Sequence, residues 1–182
     1  METHLRDVEM LGDLFAEVVG DHLGDGMLAE AEAGDVTLTQ ISALRYVARH
    51  APTYVGRLSA GLGISFPAAT KAVDRLVAKN LVDRRGDPDD RRKEGLAVTD
   101  EGRALLARVQ TVRTQRLGGV LERMEPAERR ALTRALRGFL TSAFLSDNSL
   151  VARTCERCGC DCFETCVVYQ AHVALYGEAI SP

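Results

Sequence analysis

Apolar residues near the start of the chain recur at intervals of three and four, the spacing of one face of an α-helix. The pattern predicts a helix over residues 5–31 whose polar positions are almost all acidic. Gly20, Gly24 and Gly26 weaken its final turns, because glycine has a low helix propensity. The apolar face consists of Leu5, Val8, Leu11, Phe15, Val18, Val19 and Leu23.

Three shorter helices follow, and turn signals separate them. Thr39 is the predicted N-cap of a helix that carries Ile41, Leu44 and Val47 and runs to about residue 50, where the run APT breaks it. A short helix over residues 55–60 leads into the predicted turn GLG at 61–63. Ser65 then opens a helix that runs to about residue 79.

The helix over residues 65–79 has two unlike faces. The apolar face consists of Ala69, Ala72, Val73, Leu76 and Val77. The opposite face consists of Pro67, Ala68, Lys71, Asp74, Arg75 and Ala78. Small residues beside two cations make a narrow, positively charged rod that fits the major groove of DNA, although an ordinary surface helix also has two such faces.

A basic hairpin is predicted directly after this helix. Residues 81–85 and 93–98 form two short strands, with Leu96 and Val98 on one face, and the run GDPDD at 86–90 is dense in turn formers. Four arginines cluster around it: Arg84, Arg85, Arg91 and Arg92. A helix, a turn, a helix and then a basic hairpin is the order of a winged helix-turn-helix.

Two long amphipathic helices complete the predicted fold. Thr99 caps the first, which runs to about residue 124 and which Gly118 and Gly119 are expected to bend. Pro126 opens the second. With the N-terminal helix, they expose more apolar surface than one small domain can cover, so we expect a homodimer.

The predicted fold class is therefore mostly α with a small β wing. The predicted parts are a dimerisation helix at 1–35, a winged helix-turn-helix at 36–99, dimerisation helices at 100–148 and a cysteine-rich extension at 149–182.

Charge is unevenly distributed along the chain. The net charge is −3 over 182 residues. Residues 1–40 hold ten acidic residues and one arginine, whereas residues 56–93 hold nine lysines and arginines against five aspartates. A basic window inside an acidic chain indicates a local phosphate-binding face, although solvated helices of mixed charge would also produce it.

The sequence favours a cytoplasmic protein that is not an enzyme. No apolar run reaches the roughly 18 residues that span a bilayer, and the acidic N-terminus is unlike a signal peptide. The four histidines are scattered, and no nucleophile lies in a pattern with a base.

Residues 38–106 resemble the MarR family of bacterial regulators. The resemblance lies in GLGIS at 61–65, ATKAVDRL at 69–76, NLVDR at 80–84, DPDDRR at 87–92 and LAVTDEG at 96–102. It implies a dimeric transcription regulator, a repressor, whose helices enter successive major grooves of a pseudo-palindromic operator. It also implies a small-molecule effector, but no residue here identifies a pocket, and the N-terminal helix lacks the sensing cysteine of some relatives.

The resemblance assigns residues to DNA. Lys71 and Arg75 would contact bases or phosphates, Ser65 and Thr70 would donate to phosphates, and Asp90 would orient an arginine. The DNA-facing set is Ser65, Pro67, Ala68, Thr70, Lys71 and Arg75, with Arg84 and the wing residues Arg91 and Arg92; Arg92 would reach the minor groove.

All five cysteines lie in one segment to which the resemblance does not extend: Cys155, Cys158, Cys160, Cys162 and Cys166. In a cytosolic protein such density favours a metal centre, with a redox disulfide or incidental cysteines as alternatives. Zinc sites usually join two separated pairs, so a single run favours an iron–sulfur cluster over zinc. The choice of four ligands stays open, and His172 is more simply a packed or exposed residue.

The sequence thus predicts a regulator with a cysteine-ligated centre that senses a signal or stabilises the dimer. The alternatives are a redox or electron-transfer protein whose winged helix serves for interaction, and a protein-binding module. Salt-dependent binding to duplex DNA would distinguish the regulator from the protein-binding module.

Overall fold

The structure is a computed structural model and describes residues 2–86, 94–158 and 166–177. The described residues form nine helices and one two-stranded sheet, which confirms the predicted fold class. In chain order they are α1 (Glu2–Leu23), α2 (Asp25–Glu30), α3 (Leu38–Arg49), α4 (Val55–Leu62), α5 (Phe66–Ala78), β1 (Val82–Gly86), β2 (Glu94–Val98), α6 (Asp100–Glu122), α7 (Pro126–Ser146), α8 (Asn148–Cys158) and α9 (Val167–Tyr176). Within the described ranges, no helix has the length and apolar content needed to cross a membrane.

The N-terminal helix is interrupted near its end. The prediction of one helix over residues 5–31 was wrong there, because α1 ends at Leu23 and α2 begins at Asp25. Gly24 lies between them with φ −106° and ψ −120°, outside the helical region. The chain turns at a glycine, the residue type for which leaving the helix costs least.

The N-cap of α3 is Thr37, and the predicted cap at Thr39 was wrong. The Thr37 hydroxyl accepts a hydrogen bond from the Gln40 amide at 3.3 Å, and the Gln40 side chain accepts one from the Thr37 amide at 3.2 Å. This reciprocal capping box satisfies two amides that the helix leaves unpaired. Thr39 is instead an exposed residue of the first turn.

The turn between α4 and α5 is shorter than predicted. Gly61 and Leu62 still belong to α4, and the chain leaves the helix at Gly63, whose φ of 64° is left-handed. Glycine adopts this conformation without the steric penalty of a side chain. Ser65 caps α5 as predicted, and its hydroxyl accepts from the Ala68 amide at 3.3 Å.

The two strands form an antiparallel hairpin behind α5. Val82 pairs with Val98 and Arg84 with Leu96, while Thr53 adds an isolated bridge by accepting from the Leu96 amide at 2.7 Å. Leu96 and Val98 are buried on one face, as predicted. The main core joins this face to the inner sides of α3, α5 and α6, and its fully buried side chains include Leu44, Val47, Leu58, Val73, Leu76 and Val109.

Thr99 joins the end of the α5 region to the start of α6. Its hydroxyl donates to the Asn80 carbonyl at 2.7 Å and accepts from the Gly102 amide at 3.0 Å, which confirms the predicted cap. The Thr99 amide donates to the Leu81 carbonyl at 3.2 Å. A single residue therefore satisfies polar groups on both sides of the hairpin.

The two long helices α6 and α7 begin where predicted. Pro126 is the first residue of α7, and a capping box between Glu125 and Glu128 precedes its first turn. The bend expected at Gly118 and Gly119 is not accompanied by any break, since α6 continues through both residues to Glu122.

The C-terminal extension folds into two helices around a second, smaller core. Phe144 of α7, Val151 of α8, and Val168 and Ala171 of α9 are buried together in it. Helix α9 begins directly after Cys166, which is its N-cap. Helix α8 was not predicted.

Candidate nucleic-acid interface

Helix α5 presents the two faces that the sequence predicts. Ala69, Ala72, Val73 and Leu76 are buried against the core. The exposed side carries Pro67, Ala68, Lys71, Asp74 and Arg75. Packing of the inner face therefore fixes the helix so that two cations and three small or short side chains project away from the core.

The hydroxyl groups near the start of α5 are partly engaged within the helix. Ser65 is exposed and uses its oxygen as an acceptor for the cap. Thr70 is half-buried and donates to the Phe66 carbonyl at 3.0 Å. A hydrogen bond from Thr70 to a phosphate would require this internal bond to be exchanged, so Thr70 is a weaker candidate than Ser65.

Phe66 is an exposed residue that the sequence analysis missed. It is the first residue of α5, and 58% of its surface is exposed beside Pro67 and Ala68. Its position directly after the Ser65 cap was the available signal, because it places Phe66 at the very start of the helix, outside the apolar face that begins at Ala69. An aromatic ring there would contact any molecule that binds the exposed face of α5.

An ion pair links α5 to the hairpin. Arg84 of β1 contacts the Asp74 carboxylate of α5, and Arg85 lies 3.4 Å from the carboxylate of Asp83. The predicted contact of Arg84 with DNA stays a prediction; in the structure its ion pair with Asp74 joins the hairpin to the helix. The predicted wing residues Arg91 and Arg92 lie outside the described residues, as does Asp90.

An acidic side chain adjoins the C-terminal end of α5. Lys79 forms an ion pair with Asp35 from the loop before α3. The hydrogen bond from Lys79 lowers the pKa of Asp35 below its ordinary value, and the charge of Arg75 contributes in the same direction. The positive charge of Lys79 is therefore partly offset by Asp35. Within the described residues, no ion pair involves Lys71.

The described cysteines lie on the second core. Cys155 of α8 and Cys166 at the start of α9 are half-buried against it. Cys158 is the last residue of α8, and Cys160 and Cys162 lie outside the described residues. Within the described ranges no three histidine, cysteine, aspartate or glutamate side chains converge on one point. His172 is half-buried, with its ring centroid 4.7 Å from that of Tyr176.

Comparison with known proteins places the fold in a family. A family model described as the MarR family matches residues 34–93. The HTH-type transcriptional repressor MdtR of Bacillus subtilis (strain 168) is 34% identical over 76 residues, which cover 42% of this chain. The match spans about half of that relative, 49% of its length.

Solved structures extend the likeness over most of the chain. RV1404 from Mycobacterium tuberculosis is 32% identical, with a TM-score of 0.65 over 73% of this chain and 90% of that one. FabT of Streptococcus pneumoniae, solved in complex with DNA, is 18% identical, with a TM-score of 0.63 over 79% of this chain and 98% of that one. On the family model and the two relatives that are more than 30% identical, the chain belongs to the MarR family.

Proposed function

We propose that the protein is a transcription regulator, a repressor, that binds a pseudo-palindromic DNA operator as a homodimer. The observation that carries the proposal is α5, whose exposed face is narrow, holds Lys71 and Arg75 and adjoins an arginine-bearing hairpin. An α-helix of this kind fits the major groove, where arginine and lysine side chains can donate to base edges or phosphates. MdtR is described as a transcriptional repressor, and FabT was solved in complex with DNA. Both relatives support a DNA-binding repressor function for this chain.

The uncovered apolar surface supports the homodimer. Leu11 and Phe15 of α1 are 59% and 49% exposed, and Phe139 of α7 is 66% exposed. Further exposed apolar residues on α1, α6 and α7 are Leu5, Val8, Leu14, Val18, Leu117, Val120, Leu136 and Leu140. A second copy of the chain is the partner we propose for this surface. In a two-fold symmetric dimer, the apolar faces of α1, α6 and α7 would be buried on both chains at once.

Binding to duplex DNA tests this proposal. Wild-type protein is used to enrich a duplex from a pool of random DNA sequences. The molar mass of the complex is then measured by light scattering. We expect two chains per duplex, half-sites about 10 base pairs apart and an affinity that falls steeply with salt, by about 0.9 in log–log slope per phosphate contacted. Failure to enrich any duplex, or binding that salt does not weaken, would contradict the proposal.

We also propose that the cysteine segment holds a metal centre, an iron–sulfur cluster in preference to zinc. Five thiols within twelve residues support it, as do the positions of Cys155 and Cys166 on one small core. Thiolates are the ligands that soft metal ions and iron–sulfur clusters prefer. Such a centre would hold α8 and α9 together, and its state would alter their packing.

Metal analysis of protein purified without oxygen tests the centre. We expect brown protein with iron and acid-labile sulfide, and loss of both when Cys155 and Cys166 are replaced by serine. Colourless protein with one zinc per chain would identify a structural zinc site instead of a cluster. Protein without stoichiometric iron or zinc would overturn the metal centre.

A further inference from the structure

Helix α8 of the C-terminal extension lies directly against the helix-turn-helix formed by α4 and α5. It packs on α4 and on α3. In its last turn, Arg157 reaches across and donates a hydrogen bond from Nε to the Gly61 carbonyl at 3.3 Å. That carbonyl belongs to the last turn of α4, where carbonyl groups lack helical partners and the helix dipole favours a cation.

The same guanidinium fills the space beside the turn. A Cβ atom built on Gly63 would collide with Nη2 of Arg157, so the guanidinium occupies the place of a side chain at the left-handed residue that ends α4. The amides of Gly63 and Ile64 close this turn by donating to the carbonyls of Ala60 and Ser59 at 3.1 and 3.0 Å. Ser65, the cap of α5, follows immediately. The turn that sets the angle between α4 and α5 is therefore in contact with the extension.

The base of Arg157 is itself held in place. Val151 is fully buried in the second core, and Cys155 packs on the same core two residues before Arg157. A long side chain on a fixed helix transmits the position of that helix, whereas the same side chain on a loose tail would not. Movement of α8 therefore changes the contact at the turn.

We infer that Arg157 is a positioning residue for α5. It holds the turn at residues 61–63 and makes the affinity for the operator depend on the position of the cysteine-bearing extension. The inference rests on the proposed DNA-binding function. Its physical basis, the restraint of the turn by Arg157, can also be measured without DNA.

Arg157→Ala tests the inference, with Arg153→Ala as the matched control. Arg153 lies one turn earlier on α8, and its described bonds go to Ser149 in the first turn of the same helix and to Asp147 directly before it. On the duplex enriched by wild-type protein, we expect Arg157→Ala to bind about tenfold more weakly, within the usual range for coupling between sites. We expect Arg157→Lys to recover part of the loss and Arg153→Ala to bind like wild type.

A scrambled duplex separates positioning from direct contact with DNA. If Arg157 positions α5, the alanine variant keeps its affinity for the scrambled duplex and its salt dependence. A lost phosphate contact in each chain would weaken binding to both duplexes and reduce the log–log salt slope of the dimer by about 1.8, at about 0.9 per contact, and that result would overturn the inference. Equal affinities of Arg157→Ala and Arg153→Ala for the enriched duplex would also overturn it.

Hydrogen exchange provides the readout that needs no DNA. We expect the amides of Gly63 and Ile64 to exchange faster in Arg157→Ala than in Arg153→Ala, because the turn loses its external restraint. Equal exchange rates would overturn the inference even if operator binding fell. If wild-type protein enriches no duplex, the proposed function fails, and this comparison still decides whether Arg157 restrains the turn.

Discussion

Replacing both Lys71 and Arg75 by alanine is expected to abolish specific binding to the enriched duplex. Both side chains project from the exposed face of α5, and neither is required by the buried face. A well-placed contact to a base contributes about 1–3 kcal/mol, and the proposed symmetric dimer would lose two such contacts in each half-site. We therefore expect the affinity to fall at least about a thousandfold, measured by fluorescence anisotropy at fixed salt.

The matched control removes the same charge elsewhere. Arg130 and Arg134 are exposed on α7, outside the segment from α3 to β2 that forms the winged helix-turn-helix. Their double replacement by alanine changes the net charge by the same amount. This control is expected to lose only the small share of affinity that long-range attraction supplies. If the two double variants lose the same affinity, α5 is not the element that reads DNA.

Replacing Gly102 by alanine is expected to destabilise the folded chain strongly. A Cβ atom there would collide with the Leu81 carbonyl oxygen and lie 2.8 Å from Cγ1 of Val98. The Leu81 carbonyl oxygen is a backbone atom, so it cannot move aside as a flexible side chain can. Gly102 lies in the first turn of α6, where that helix approaches the hairpin. We expect the free energy of unfolding to fall by about 3 kcal/mol, the upper part of the usual range for overpacking, even after the gain in helix propensity. Urea titration at one fixed protein concentration measures it.

Gly138→Ala is the control for this substitution. Gly138 is an exposed helical residue of α7, and an added Cβ would meet nothing within 4 Å. Alanine is favoured over glycine by about 1 kcal/mol in a helix, so we expect a small gain in stability. A Gly102→Ala variant as stable as Gly138→Ala would show that α6 can shift away from the hairpin without cost.

The sequence was sufficient to predict α5 because its determinants are local. Ser65 at the cap and a repeat of small and branched apolar residues define both its start and its buried face. Thr99 and the hairpin were predictable for the same reason. The error at α3 was also local: Thr37 and Thr39 are both suitable caps, and only Thr37 has a glutamine three residues later to complete a capping box.

Helix α8 could not be predicted in the same way. It has few apolar residues, and Leu150, Val151 and Cys155 pack on the small core that α8 shares with α7 and α9. A helix of eleven residues is marginal by itself, so its stability comes from that packing.

Contacts between distant parts of the chain were likewise hidden from the sequence. Arg157 and Gly61 are 96 positions apart, and no periodic pattern connects them. The charge of Arg84 was visible in the sequence, but its pairing with Asp74 depends on how the hairpin folds back over α5.

The Thr99 hydroxyl is hydrogen-bonded to both Asn80 and Gly102. The segment from α3 to the hairpin, which includes α5, therefore cannot separate from α6 without breaking these two hydrogen bonds. We therefore expect the segment from α3 to the hairpin and α6 to rotate together, with α6 as the lever arm. At 1.5 Å per residue, the 23 residues of α6 give an arm of about 34 Å, so a rotation of about 5° at its far end displaces α5 by about 3 Å. In the proposed dimer, a slight adjustment where the two chains meet would thus be amplified into a change in the spacing of the two α5 helices relative to the helical repeat of DNA.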